Sequence, residues 1–222
     1  MDSPAYHAAP MPTPPSAPPP APQGVPAPPP PPPVSAAPAP RRLLHTAAGF
    51  YGITFLFAVG YAVFSGKIGV LLGEETPAPG SLLAALAVGT AIVLVCLAAE
   101  KTVPVVSRAA DALARLLGPM SARDAVVLAL LSGIAEELLF RGALWPHLGL
   151  AGTTLLFGLV HVVPRRALLL YPLFATGAGL VLGLLREGSG SVAPPMIAHV
   201  LVNGVNLVRL ARRPRPTSAP AS

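Results

Sequence analysis

The chain has 222 residues, 53% of them hydrophobic and 11% charged, with a mean hydropathy of +0.64 and a formal net charge of +6. A soluble domain carries roughly a quarter charged residues, so the composition points to a membrane protein and excludes an ordinary soluble one. The basic excess does not mark a nucleic-acid binder, because the basic residues lie mostly at the ends of apolar segments.

One cysteine, Cys96, excludes an intramolecular disulfide and a cysteine-based metal site. Arg outnumbers Lys thirteen to two, a bias that suits a GC-rich, bacterial genome.

The predicted elements run as follows. Residues 1–40 are a Pro/Ala-rich tail with a six-proline run, Pro28 to Pro33. Such a segment cannot build a core, so it is expected to be disordered, locally polyproline II, and to act as a spacer. Six apolar segments follow, at about 43–64, 81–99, 122–144, 150–163, 167–185 and 192–210. The stretch from Glu100 to Arg123 reads as an interfacial amphipathic helix ended by Gly118-Pro119. A short Pro-rich tail, residues 211–222, closes the chain. The expected fold is all-α, a polytopic membrane helix bundle of about six transmembrane helices, with N-terminal helices in 41–121 and a functional bundle in 122–210.

With the N-terminus cytoplasmic, twelve Arg and Lys residues fall on the inner side and three (Lys67, Arg141, Arg186) on the outer side. The positive-inside rule therefore predicts an integral protein of the bacterial inner membrane with both termini in the cytoplasm.

Polar groups within the spans are few, and a charge at membrane depth is a functional hypothesis by default. Glu136 and Glu137 are adjacent in an apolar segment. Glu137 and Arg141 are four apart and share a helix face, so they can pair. Glu136 is turned about 100° away and has no partner on its own helix. A paired carboxylate beside an unpaired one suits acid/base chemistry. His161 ends the short fourth segment, and His199 and Asn203 share a face of the sixth. At 1.5 Å per residue, Glu136 and His161 each lie about 20 Å from one end of their segments, and all four groups can meet near mid-membrane. Each alone has a structural explanation, such as an interhelical hydrogen bond or ion pair. Together they would be a costly way to hold a bundle.

Glu136-Glu137-x-x-x-Arg141, Phe157-x-x-x-His161 and His199-x-x-x-Asn203 resemble the three motifs of the CAAX-protease and bacteriocin-processing (CPBP, or Abi) intramembrane proteases. Phe140-Arg141-Gly142 and Pro195 are similar to the family's usual surroundings, and the resemblance covers about residues 122–206. It implies an endopeptidase acting on a peptide or protein substrate in the lipid bilayer. Glu136 and His161 would activate water, His199 and Asn203 would bind the oxyanion, and Glu137 with Arg141 would be a supporting ion pair. Family members cut beside prenylated cysteines, mature bacteriocins, or process C-terminal anchors of exported proteins.

No cofactor is preferred. Zinc is the alternative, because Glu136, His161 and His199 match the ligand types of a catalytic site. No HExxH is present, and an Asn four residues after His199 reads better as an oxyanion donor than as a zinc ligand. Two readings from other classes remain open. One is a non-catalytic scaffold or immunity-type protein whose Pro-rich tail binds a partner; the other is a transporter using Glu136 as proton carrier, although no internal repeat is found.

Overall fold

The computed structural model describes residues 40–71, 73 and 76–213. The Pro/Ala-rich tail of residues 1–39 and the last residues, 214–222, lie outside them. Among the described residues the fold is all-helical, with α1 (Pro40–Phe64), α2 (Pro79–Thr102), α3 (Pro104–Leu117), α4 (Ala122–Glu137), α5 (Trp145–Val160), α6 (Tyr171–Ser189) and α7 (Ala193–Ala211).

Three stretches are long and apolar enough to cross a membrane: Leu44–Phe64, Pro79–Thr102 and Arg166–Ser189. Trp145–Val160 is apolar but shorter. The third and sixth apolar segments of the sequence are helical over similar bounds. Their hydropathy is lowered by the polar residues they carry, Glu136, Glu137 and Arg141 in one and His199, Asn203 and Asn206 in the other.

The local chemistry explains most boundaries. Val103-Pro104 divides α2 from α3, because the residue before proline is pushed out of the helical region; Val103 is extended at φ −117°, ψ 103°. Gly118, at φ 69°, ends α3. Ser121 and Asp124 form a reciprocal capping box at the start of α4. Pro146, Pro172 and Pro194 occupy the first turns of α5, α6 and α7, where a missing N–H costs nothing.

Two boundaries differ from expectation. The 122–144 segment is not one uniform α-helix: after Glu137 it continues as a π-helical turn, Leu138–Ala143. The 150–163 segment stops earlier. Helix α5 begins at Trp145, breaks at Gly149 (φ 58°, ψ −164°) and ends at Val160, so Val162 and Val163 are outside it. Its regular part, from Leu150, rises only about 16 Å against about 30 Å of hydrocarbon.

Helix α7 is central. It packs against α2, α4 and α6, while α4 also packs against α1, and α5 against α6. At Gly133 a Cβ would fall 2.6 Å from Val200 Cγ2 and 3.2 Å from Val200 N. Only glycine there lets α4 and α7 approach this closely. One turn along from Gly133 stand the two glutamates, and beside Val200 stands His199. Just beyond the glutamates, Leu71 is buried against the π turn, and Gly73 pairs with Ser191 through a single antiparallel bridge.

Candidate active site

All the polar residues singled out within the spans converge. Glu137 and Arg141 pair at 2.9 Å, both fully buried. The π turn does not disrupt this i, i+4 contact. It carries Arg141 inward, where its second terminal nitrogen donates to the Gly179 carbonyl of α6 at 2.7 Å and its guanidinium stacks 4.7 Å over the Phe157 ring.

Spacing alone did not reveal that the same Glu137 oxygen has a second partner. His199 Nδ1 lies 2.8 Å from Oε1. A carboxylate only accepts, so Nδ1 carries a proton. On the other side of the ring, Nε2 stands 3.0 Å from the Asn203 amide nitrogen, which also donates to Ser132 Oγ at 3.0 Å. A buried chain therefore runs Arg141–Glu137–His199–Asn203–Ser132 and ties the π turn, α4 and α7 together.

Glu136 stands apart from this chain. Its Oε2 is 3.8 Å from His161 Nε2 and 3.9 Å from His199 Nε2, too far for direct hydrogen bonds and close enough for one water to reach both. Among the described residues no side chain donates to Oε2. His161 sits in the C-cap of α5, placed at depth by the shortness of that helix. Its Nδ1 lies 2.7 Å from the Phe157 carbonyl, an acceptor, so in the neutral ring the lone pair is on Nε2, toward Glu136. Phe157 lies 4.6 Å from the His161 ring and 5.8 Å from the His199 ring, and Tyr171 meets His161 edge-on at 5.6 Å.

These groups open onto a cavity of about 380 Å³ lined mainly by apolar side chains of α2, α3, α6 and α7. Glu136, His161, His199 and Asn203 all line it; Glu100, Cys96 and Asn206 lie along its walls with the apolar face of α3. Cys96 is thus a half-buried wall residue. Tyr51, Tyr171 and Ser132 also line the cavity and were not singled out from the sequence. Ser132 could have been found, because it shares the Glu136 face one turn earlier. The two tyrosines leave no local signal.

Glu136, His161 and His199 are the residues that would hold a zinc ion, with Oε2 standing 3.8 and 3.9 Å from the two Nε2 atoms; in the geometry described, His199 Nε2 faces the Asn203 amide at 3.0 Å.

Residues 119–205 match the family model described as type II CAAX prenyl endopeptidase, Rce1-like. This agrees with the CPBP resemblance and supports a protease at the level of the family. The chain is also 38% identical over 80 residues to the "Uncharacterized protein YpbD" of Bacillus subtilis (strain 168). That alignment takes in 36% of this chain and 42% of the relative, so the chain spans less than half of that protein's length. No solved structure matches. Taken with the three long apolar helices, these likenesses mark an integral membrane protein.

Proposed function

We propose that the protein is an intramembrane endopeptidase that hydrolyses a peptide bond of a membrane-associated substrate without a metal. The observation that carries this reading is Glu136, buried at the head of an apolar cavity and flanked at 3.8 and 3.9 Å by two imidazole nitrogens. A water held between Glu136 and His161 Nε2 donates to both and turns a lone pair toward the scissile carbonyl. As its oxygen attacks the carbonyl carbon, Glu136 takes a proton, and a negative charge forms on the carbonyl oxygen. His199, which enters the step already as the imidazolium with a proton taken up from solvent and balanced by Glu137, donates to that oxyanion through Nε2 and keeps the proton when the intermediate collapses. The Asn203 amide hydrogen that the neutral ring accepted is then free to donate as well. Collapse of the intermediate breaks the C–N bond, and Glu136 returns its proton to the leaving amine.

Six crossings, with both termini cytoplasmic in a bacterial inner membrane, complete the proposal. The cavity runs from Glu136 toward α3, whose flanks carry inner-side basic residues, and this supports entry of substrate from the inner half of the membrane. The named family acts on CAAX prenyl proteins, and C-terminal processing or sorting of membrane-anchored proteins is the corresponding substrate class proposed here.

The test compares wild type with Glu136→Gln in the native host by profiling protein termini in the membrane and at the surface. One terminus lost in the variant and restored by complementation supports the reading and identifies the target. Unchanged termini with normal levels of the variant overturn it and favour a scaffold. Stoichiometric zinc in purified, active protein would overturn the metal-free form alone.

A further inference from the structure

The proposed base needs a donor that the matched domain does not supply. Glu136 is buried, and Oε2 receives no hydrogen bond from any described side chain. The imidazole nitrogens of His161 and His199 stop at 3.8 and 3.9 Å. A buried carboxylate left to rotate would spread its lone pairs over several directions, and a base must hold one.

Tyr51 comes from α1, well before residues 119–205. Helix α1 packs along α4 and onto the π turn, and Tyr51 lines the same cavity as Glu136 and Ser132. Its hydroxyl has Glu136 and Ser132 as polar neighbours. Ser132 spends its own hydrogen on the Ala129 carbonyl at 3.3 Å and accepts from Asn203. The phenol hydrogen therefore has two acceptors within reach, one neutral and one ionised, and charge-assisted bonds are roughly twice as strong.

We infer that Tyr51 is a positioning residue of the active site: its phenol donates to the other Glu136 carboxylate oxygen, Oε1, and so holds the unpartnered Oε2 toward the water shared with His161. It rests on the reading of Glu136 as the base. The phenol also closes the site's polar framework, since through Ser132 it neighbours the Asn203–His199–Glu137–Arg141 chain. Helix α1 thereby becomes part of the catalytic unit and not only a membrane anchor beside it.

The substrate-free test places 3-fluorotyrosine at position 51 of the full-length protein in lipid nanodiscs and reads its fluorine resonance. Replacing Glu136 by Gln is expected to move that resonance, whereas replacing Glu187, exposed on α6 and outside the cavity, by Gln is not. An unmoved resonance in Glu136→Gln overturns the inference whether or not the protein is a protease. The kinetic test uses Tyr51→Phe, which keeps the ring and removes the donor. Loss of a hydrogen bond to a charged group corresponds to a drop in kcat of about 10- to 100-fold, with KM and thermal midpoint unchanged, on the substrate named by terminus profiling. Wild-type kcat in Tyr51→Phe overturns the inference. A wild-type protein that processes nothing, with the fluorine shift present, counts against the protease reading alone.

Discussion

One carboxylate oxygen organises the buried chemistry. Glu137 Oε1 accepts from Arg141 and from His199 at 2.9 and 2.8 Å, so a single atom couples the π turn to α7. Arg141 in turn reaches the Gly179 carbonyl. Arg141→Ala removes both contacts and strands a buried carboxylate, at a cost of about 3–5 kcal/mol. It should lower the yield of folded protein and the thermal midpoint as well as activity; a normal midpoint would show that the pair is not structural. Arg141→Lys should fall between, because an ammonium lacks the planar fork that serves two acceptors in fixed directions. Asn203→Ala leaves the ion pair intact and removes a proposed oxyanion donor. It should reduce kcat by about 10²- to 10³-fold with little loss of stability. Equal losses in kcat and thermal midpoint would instead mark Asn203 as interhelical glue.

At the scale of elements, site geometry depends on helices that depart from the ideal. The π turn after Glu137 closes with Leu144 N–H donating to the Leu139 carbonyl, five residues back, and such turns reorient side chains without ending a helix. Helix α5 is broken at Gly149 and too short to cross regularly, and that shortness leaves His161 at the depth of Glu136. Gly133 sets the spacing of α4 and α7. Its alanine variant puts a methyl against Val200, including the backbone nitrogen, and should cost about 1–3 kcal/mol of overpacking strain. The measurement is the thermal midpoint in detergent together with processing activity. Retention of both would show that the two helices have slack at this crossing.

Across the whole molecule, the charged residues segregate. Arg213 donates to Glu100 at 2.6 Å and to Asp111 at 2.8 Å, and Arg209 to Glu100 at 3.2 Å, joining the ends of α2, α3 and α7. These partly exposed pairs are individually worth ~0–1 kcal/mol, and the proposed orientation puts them on the inner membrane face. In a Cys96→Ser background, a cysteine at Arg115 should react with a membrane-impermeant maleimide only from the cytoplasmic side, and one at Lys67 only from outside. The reverse pattern would invert the proposed orientation. Deleting residues 1–38 should leave processing intact, since no motif lies there. A well-folded but inactive truncation would bring the proline-rich tail into the mechanism.

Composition, periodicity and motif spacing were enough to identify a helical membrane protein, to pair Glu137 with Arg141, and to gather Glu136, His161, His199 and Asn203 into one expected cluster. Those properties are local: burial of apolar runs follows from hydropathy, and an i, i+4 pair follows from the helical turn. The sequence did not show which carboxylate His199 would face, because that partner lies 62 residues away and is chosen by the close crossing at Gly133. The same holds for Tyr51, which meets the site only when α1 folds against α4, whereas Ser132 shares the Glu136 face of α4 and was legible in the helical spacing. The π turn and the break at Gly149 also escaped prediction. Helical propensity differs little between an α and a π turn, so packing around the buried Arg141 decided which formed.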